Sequence, residues 1–134
     1  MFVDYLQLVT ASTGSKGTRE QEVSKVARAL KNLAKELNIT VVALSQLNRG
    51  VGYRAESKPT LSDLRESGEI EQAADVVALV YRPEYYGINT DENGESTEGL
   101  AQIIFAKGRN IGVGTVNLKF ISELTKFREN TLDF

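Results

Sequence analysis

The chain contains neither cysteine nor histidine, and these two absences exclude several kinds of chemistry. Without cysteine there is no disulfide framework and no thiolate metal site. Without histidine there is no imidazole to act as a general base or as a metal ligand. Zinc chemistry, and nucleophilic catalysis by a serine or cysteine paired with histidine, are therefore excluded.

Long apolar runs and a strong net charge are also lacking. No apolar stretch approaches the roughly 18 residues that a bilayer crossing requires. The opening residues, Met-Phe-Val-Asp-Tyr, do not follow the plan of a secretory signal. We therefore expect a cytoplasmic protein with no membrane partner. The net charge of −2 and pI near 5.3 argue against coating nucleic acid by bulk electrostatics, so any nucleic-acid contact must be local.

A glycine-rich phosphate loop of the form G-x-x-x-x-G-K-[ST] is absent as well. What is present is a chain of 134 residues, 41% apolar and 25% charged, which suits one globular domain. Its segments alternate between strand and helix. This order predicts an α/β fold with a mainly parallel sheet, flanking helices and an antiparallel edge, resembling the back half of a nucleotide-handling sheet.

One long helix and five strands are predicted from periodicity and composition. Thr18 and Gln21 can form a capping box, and apolar residues then recur at helical spacing as far as about Asn38. The predicted strands are Phe2–Val3, Ile39–Leu44, Asp75–Tyr81, Leu100–Ala106 and Thr115–Phe120. The second is expected to be buried on both faces, and the last to lie toward an antiparallel edge. The acidic residues 84–98 predict a mobile, solvated loop without assigned chemistry.

Polar or charged residues follow four of the apolar runs, namely Asp4, Gln46, Arg82 and Lys107. The carboxyl ends of parallel strands meet at one edge of an open α/β sheet and build ligand sites there. Asp4 is placed to orient water around Mg²⁺ on nucleotide phosphates, and Gln46 is placed to sense a terminal phosphate. Each residue alone would more simply be a turn former or a strand terminator. Two converging strand ends favour the functional interpretation.

The segment from Asp63 to Gln72 combines a forked cation with small residues and glutamates. Arg65 supplies the cation, and Ser67 and Gly68 stand before a short helical stretch whose free amides can hold a phosphate, which would suit a nucleic-acid backbone. Glu66 can orient Arg65 or contact a sugar hydroxyl. A solvent-exposed loop stabilised by a local ion pair is an equally good interpretation.

Two basic residues follow a predicted strand in a turn that glycine makes flexible, in the sequence Lys107-Gly108-Arg109-Asn110. Such a pair can reach phosphates across a subunit boundary, as an arginine finger does. The alternative is an ordinary basic turn.

Four segments together resemble, in order and spacing, the RecA-like ATPase domain of DnaB-type bacterial replicative DNA helicases. These are Val3 to Leu8, Val41 to Arg49, Ser62 to Gln72, and Lys107 to Asn110. The likeness runs from residue 3 to about residue 128. The run Leu-Arg-Glu-Ser-Gly, followed after one residue by Ile-Glu-Gln, is a specific signature within it.

The resemblance implies a homo-hexameric ATPase that binds ATP and Mg²⁺ and translocates on single-stranded DNA, with primase and a helicase loader as partners. Asp4 then matches the acidic residue of the Walker B motif, which supports Mg²⁺ through water. Gln46 matches the residue that couples the state of the phosphates to DNA binding.

The same resemblance implies roles for two further groups of residues. Arg65, Glu66 and Gly68 are similar to a channel loop that grips the DNA backbone. Lys107 and Arg109 are similar to the pair that reaches the γ-phosphate held by the neighbouring subunit. Contacts that are few per subunit and repeated around a ring would allow an acidic chain to bind DNA.

The chain also departs from the family pattern. Ile111 and Gly112 stand where the family usually has glycine and then proline, and Ala73 replaces an acidic residue found in many members. The family's phosphate loop and catalytic glutamate, which precede the Walker B motif, are not in the sequence. We therefore expect residues 1–134 to be the C-terminal part of a RecA-like helicase ATPase domain, starting at the Walker B strand and inactive alone. The alternatives are a non-catalytic module that joins or caps helicase rings, and another RecA-like motor.

Overall fold

The structure, a computed structural model, describes residues 1–9, 18–53 and 58–129, with the side chains of all except residues 49, 53 and 65–67. The chain divides into two compact units. The first contains Met1–Asn48 and Leu61–Asp75, and the second contains Arg49–Thr60 and Val76–Phe134.

The first unit combines a short parallel strand pair with two helices. Strand β1 (Phe2–Val3) pairs in parallel with β2 (Val42–Ala43), with Phe2 opposite Val42. Helix α1 covers Arg19–Glu36 and helix α2 covers Gly68–Ala73. Two 3-10 turns complete the described elements of this unit, at Leu6–Leu8 and Leu61–Ser67.

Helix α1 begins and ends where its sequence predicts. The Thr18 hydroxyl accepts a hydrogen bond from the Gln21 amide at 3.5 Å, and the Gln21 side chain accepts one from the Thr18 amide at 3.3 Å. This capping box satisfies amide groups that the first helical turn leaves unpaired. At the other end Asn38 takes a positive φ of 50°, a backbone conformation that asparagine tolerates after a helix. The predicted helix is confirmed.

The core of the first unit lies against one face of α1. Its buried side chains come from the turn after β1, from α1 and from α2, and are Leu6, Val23, Val26, Ala27 and Ile70. The half-buried Val3, Leu30 and Ala73 pack against them. Residues of α1 spaced three and four apart supply this face, as expected for an amphipathic helix on a sheet.

The other face of the parallel pair is open in this chain. Phe2 and Val42 stand opposite each other and share a face with Leu44, because side chains two apart in a strand point the same way. These three residues are 86%, 42% and 54% exposed. The expectation that Ile39–Leu44 is buried on both faces is therefore wrong, since no described residue of the first unit covers this side.

The second unit is built on a four-stranded antiparallel sheet in the order β3-β4-β5-β6. Its strands are β3 (Val76–Tyr81), β4 (Leu100–Gly108), β5 (Gly114–Ile121) and β6 (Lys126–Glu129). Short turns connect the last three strands, and short turns join antiparallel neighbours. The antiparallel part is therefore larger than the expected edge, and β6, which was not predicted, lies beyond β5.

Antiparallel pairing also separates two of the polar residues at strand ends. Tyr81, at the end of β3, stands opposite Gln102, whereas Lys107 stands opposite Val77 near the start of β3. Arg82 and Lys107 thus lie toward opposite ends of this strand pair, and the expected shared edge is wrong for them. The Arg82 guanidinium instead lies 3.6 Å from the centre of the Phe120 ring, a cation–π contact that gives it a packing role.

The acidic segment 84–98 contains local turn structure. A carboxylate oxygen of Asp91 accepts hydrogen bonds from the amides of Asn93 and Glu95 at 2.9 and 2.8 Å. Thr90 and Ser96 form an antiparallel bridge, and the Thr97 side chain is buried. The mobility of this segment stays a prediction.

Candidate functional site

Asp4 directly follows β1 and is exposed. The chain after it is fixed by the 3-10 turn Leu6–Leu8, in which Leu6 is buried and its amide donates to the Leu44 carbonyl at 2.9 Å. The buried Leu6 therefore holds the backbone beside Asp4 in place, while the carboxylate oxygen atoms of Asp4 remain accessible to solvent.

Gln46 follows β2 and is exposed as well. The Leu44 amide donates to the Val3 carbonyl at 2.9 Å, which ties the segment before Gln46 to the end of β1. Because β1 and β2 are parallel, both chains leave the pair at the same end. The structure therefore brings Asp4 and Gln46 to one end of a strand pair, as the sequence led us to expect.

Gln7 connects the two segments and was not singled out from the sequence. Its side-chain nitrogen donates to the Ser45 hydroxyl at 3.0 Å and to the Gln46 carbonyl at 3.3 Å. Its side-chain oxygen accepts from the Gln46 amide at 3.3 Å. A polar residue between Leu6 and Leu8 was the only sequence signal, and it carried no information about the partner.

A single carboxylate is enough for a magnesium site that also uses the phosphates of a nucleotide. No cluster of three or more acidic, cysteine or histidine residues that could hold a metal occurs among the described residues. Mg²⁺ bound to a nucleotide commonly takes one or two protein carboxylates, the phosphates and several waters. The exposed Asp4 fits that arrangement. The described residues offer no cluster that could hold a metal ion with protein ligands alone.

The structure describes only part of the candidate DNA loop, which consists of Arg65, Glu66 and Gly68. The backbone of residues 61–67 forms the 3-10 turn that leads into α2, but the side chains of Arg65 and Glu66 lie outside the described part of the structure. Gly68 is exposed, and a methyl group in place of its hydrogen would meet nothing within 4 Å. Gly68 and Glu69 line a cleft together with residues of α1, namely Glu20, Gln21, Ser24, Lys25 and Arg28.

Two ion pairs attach this region to α1. Arg28 forms a two-pronged pair with Glu69 at the start of α2, and Lys31 pairs with Asp75 just after its end. Ile70 adds an apolar anchor between them. The partners are 41 and 44 residues apart, so sequence spacing gave no sign of either pair.

Lys107 and Arg109 belong to the second unit. Strand β4 continues through Lys107 to Gly108, so the half-buried Lys107 lies within the strand, while Arg109 is exposed just after it. A Cβ at Gly108 would come within 2.4 Å of the Ile111 carbonyl oxygen. The turn that carries Arg109 therefore requires glycine at position 108, because no side chain fits against this backbone.

Comparison with known proteins identifies close relatives. Residues 1–129 match the DnaB-like helicase C terminal domain family. The chain is 50% identical over 127 residues to the replicative DNA helicase DnaC of Bacillus subtilis, covering 95% of this chain and 27% of that protein. It is 52% identical over 125 residues to the replicative DNA helicase DnaB of Geobacillus stearothermophilus, covering 93% of this chain and 26% of that protein. The chain thus spans about a quarter of the length of these relatives.

Solved structures agree with this assignment. One solved structure shows a DnaB-like replicative helicase and its interactions with primase. It superposes on this chain with a TM-score of 0.85 at 41% sequence identity, and the match covers 96% of this chain and 30% of the solved chain. A solved ATPase domain superposes equally well and is covered to 43%. Among the described helices, none has the apolar length to cross a bilayer. The predicted α/β class is confirmed, and the chain belongs to the DnaB-like helicase C-terminal domain family.

Proposed function

We propose that this chain forms the C-terminal part of the ATPase domain of a replicative DNA helicase, which couples ATP hydrolysis to movement along single-stranded DNA and to duplex unwinding. The observation that carries the proposal is the joint placement of Asp4 and Gln46 at one end of the parallel strand pair. The relatives of this chain are named as replicative helicases, and they supply the reaction class.

In the proposed reaction the cofactors are ATP and Mg²⁺. Bound Mg²⁺ would neutralise charge on the transferring phosphate. Asp4 would hold that ion, through water, from the end of a strand whose backbone is fixed by the buried Leu6. Gln46 would contact the terminal phosphate through its exposed amide side chain and report whether that phosphate is present.

DNA contact is proposed for Arg65, Glu66 and Gly68. The support on the structural side is that Gly68 is exposed on a helix held at both ends by ion pairs to α1. Arg65 and the backbone at Gly68 would contact phosphates, and Glu66 would orient Arg65 or contact a sugar hydroxyl, so binding should be independent of base sequence. A ring of six copies would multiply a small number of contacts, which suits a chain with a net charge of −2.

Lys107 and Arg109 are proposed to reach the γ-phosphate held by a neighbouring subunit. The glycine-dependent turn at Gly108 supports this role because it fixes the point where Arg109 leaves the strand. Such a role requires a neighbouring subunit, and the family implies that the subunits form a homo-hexamer. Primase, a helicase loader and a cytoplasmic location are proposed on the strength of the family alone.

A chimaera tests the proposal directly. Residues 3–128 of this chain would replace the matching segment of the Geobacillus stearothermophilus relative, which supplies the remaining sequence. We expect ATP hydrolysis stimulated by single-stranded DNA, and duplex unwinding. Asp4→Ala should abolish both, whereas Glu92→Ala, which removes an exposed acidic side chain in the second unit, should retain them. A folded, hexameric chimaera without DNA-stimulated hydrolysis would refute the proposed function.

The isolated chain should have no ATPase activity, since it carries no phosphate loop. The alternative is a non-catalytic module that joins or caps helicase rings. Light scattering after size-exclusion chromatography, with the chain alone and mixed with an intact helicase, separates the two. Stable addition of the chain to complete rings, together with an inactive chimaera, would support the module.

A further inference from the structure

We propose that Gln7 is a positioning residue that fixes the backbone of Gln46 relative to the strand carrying Asp4. The inference rests on the proposed function, because it assigns a role in coupling to a residue that touches neither nucleotide nor DNA. It goes further, because it identifies the physical link between the two residues proposed to handle the nucleotide.

The backbone ladder between the two strands stops before it reaches Gln46. The Leu44 amide donates to the Val3 carbonyl and the Leu6 amide donates to the Leu44 carbonyl, each at 2.9 Å. Beyond Leu44 the chain after β1 turns into a 3-10 helix, closed by a 2.9 Å bond from the Leu8 amide to the Tyr5 carbonyl. A turning backbone no longer offers a straight row of partners to the neighbouring strand.

The Gln7 side chain continues the ladder in place of the backbone. A glutamine amide has a carbonyl and an N–H group in one plane, as a peptide group does. Gln7 uses both, accepting from the Gln46 amide and donating to the Gln46 carbonyl, each at 3.3 Å. A third bond, from its nitrogen to the Ser45 hydroxyl at 3.0 Å, holds the residue before. Both polar backbone atoms of Gln46 are therefore engaged by one side chain.

Other residue types cannot reproduce this arrangement. Glutamate accepts but does not donate when it is ionised, and leucine does neither. Gln7 in turn is held by the turn that contains the buried Leu6, which directly follows Asp4 and Tyr5. A displacement of the chain at Asp4 would thus reach the backbone of Gln46 directly through the Gln7 side chain, whereas the two backbone bonds at Leu44 end two residues earlier.

The first test measures the contact itself in this 134-residue chain. Hydrogen exchange followed by NMR should show the Gln46 amide exchanging about tenfold faster in Gln7→Leu, because its acceptor is gone. Gln102→Leu is the matched control, since it removes a glutamine that donates to the Asn117 side chain at 3.0 Å in the second unit. An unchanged exchange rate at Gln46 in Gln7→Leu would overturn the proposed contact.

The second test measures coupling in the chimaera. Gln7→Leu should lower the stimulation of ATP hydrolysis by single-stranded DNA about tenfold, with the KM for ATP changed less than about twofold. Gln7→Glu, which keeps the acceptor for the Gln46 amide, should lose less. Gln102→Leu should keep full stimulation.

A double-mutant cycle separates positioning from general structural damage. If Gln7 acts through Gln46, then Gln7→Leu combined with Gln46→Ala should be no worse than Gln46→Ala alone. Additive losses would overturn the inference, as would full stimulation in Gln7→Leu. An unsubstituted chimaera without DNA stimulation would instead refute the proposed function, so the two failures are distinguishable.

Discussion

The two units of this chain are stabilised in different ways. In the first, the strands are two residues long and are paired on one side only, while helix α1 supplies three of the five buried side chains in the core cluster. In the second, β4 is nine residues long and is paired with β3 and β5 along its sides. Asp4 and Gln46, the residues proposed to bind the magnesium ion and the terminal phosphate, therefore lie in the unit with the shorter ladder. Side-chain contacts, such as those of Gln7, have to define positions that strand pairing alone does not fix.

The largest expected effect concerns the second unit. Phe120 is 7% exposed and its ring centre lies 4.9 Å from that of Phe127, which is 44% exposed. Phe120→Ala should lower the free energy of unfolding by about 4 kcal/mol, because it empties a packed site. Phe127→Ala, the matched control on the edge strand β6, should cost less than about 2 kcal/mol. Urea denaturation followed by circular dichroism measures both changes in unfolding free energy. Equal losses of stability would mean that Phe120 is not at the centre of the packing in this unit.

Hydrogen exchange compares the two ladders directly. Ile103 and Ile104 lie in a strand with neighbours on both sides, whereas the Val42 and Leu44 amides donate to the backbone in and next to the short strand β1, which has no second strand beside it among the described residues. Short, exposed pairing opens more easily. We expect the two isoleucine amides to exchange about 100-fold more slowly, equivalent to about 2.8 kcal/mol. Equal protection would mean that the parallel pair is as stable as the antiparallel sheet.

The core of the first unit should depend on its interhelical contact. Ile70 is buried between α2 and α1, so Ile70→Ala should cost about 2 kcal/mol of unfolding free energy. Ile39→Ala provides the control, because the same atoms are removed from an exposed position in the same unit. If the two substitutions cost the same, α2 contributes nothing to the stability of this unit.

Local sequence signals predicted the helix and most strands well. The Thr18 capping box and the apolar spacing of α1 involve residues within a few positions of each other, so the sequence contains all the relevant information. Strand directions and burial were predicted less well. Ile39–Leu44 has the composition of a buried strand, yet whether it is buried depends on what covers Phe2, Val42 and Leu44, which are exposed in this chain.

The same limit applies to the candidate site. Asp4 and Gln46 could be placed together because parallel strands share their ends. Arg82 and Lys107 could not, since the direction of β4 relative to β3 is decided by pairing that periodicity does not reveal. Gln7 and the ion pairs of Arg28 and Lys31 were missed because their partners are 38 to 44 residues away. Contacts at that separation require the fold.

The smallest expected effect concerns the contribution of the ion pair at the start of α2 to the stability of the first unit. Arg28 and Glu69 have side chains 63% and 38% exposed, so solvent screens their attraction and the coupling should be about 0.5 kcal/mol. A cycle of Arg28→Glu, Glu69→Arg and the double exchange measures it, and the double exchange should recover most of the loss. The helical pair Arg19–Glu22, at 2.9 Å, is the control. Both couplings should fall toward zero in 1 M salt, where charges are screened within about 3 Å. If only the Arg19–Glu22 cycle shows coupling, then apolar packing around Ile70, rather than charge, holds the candidate DNA loop against α1.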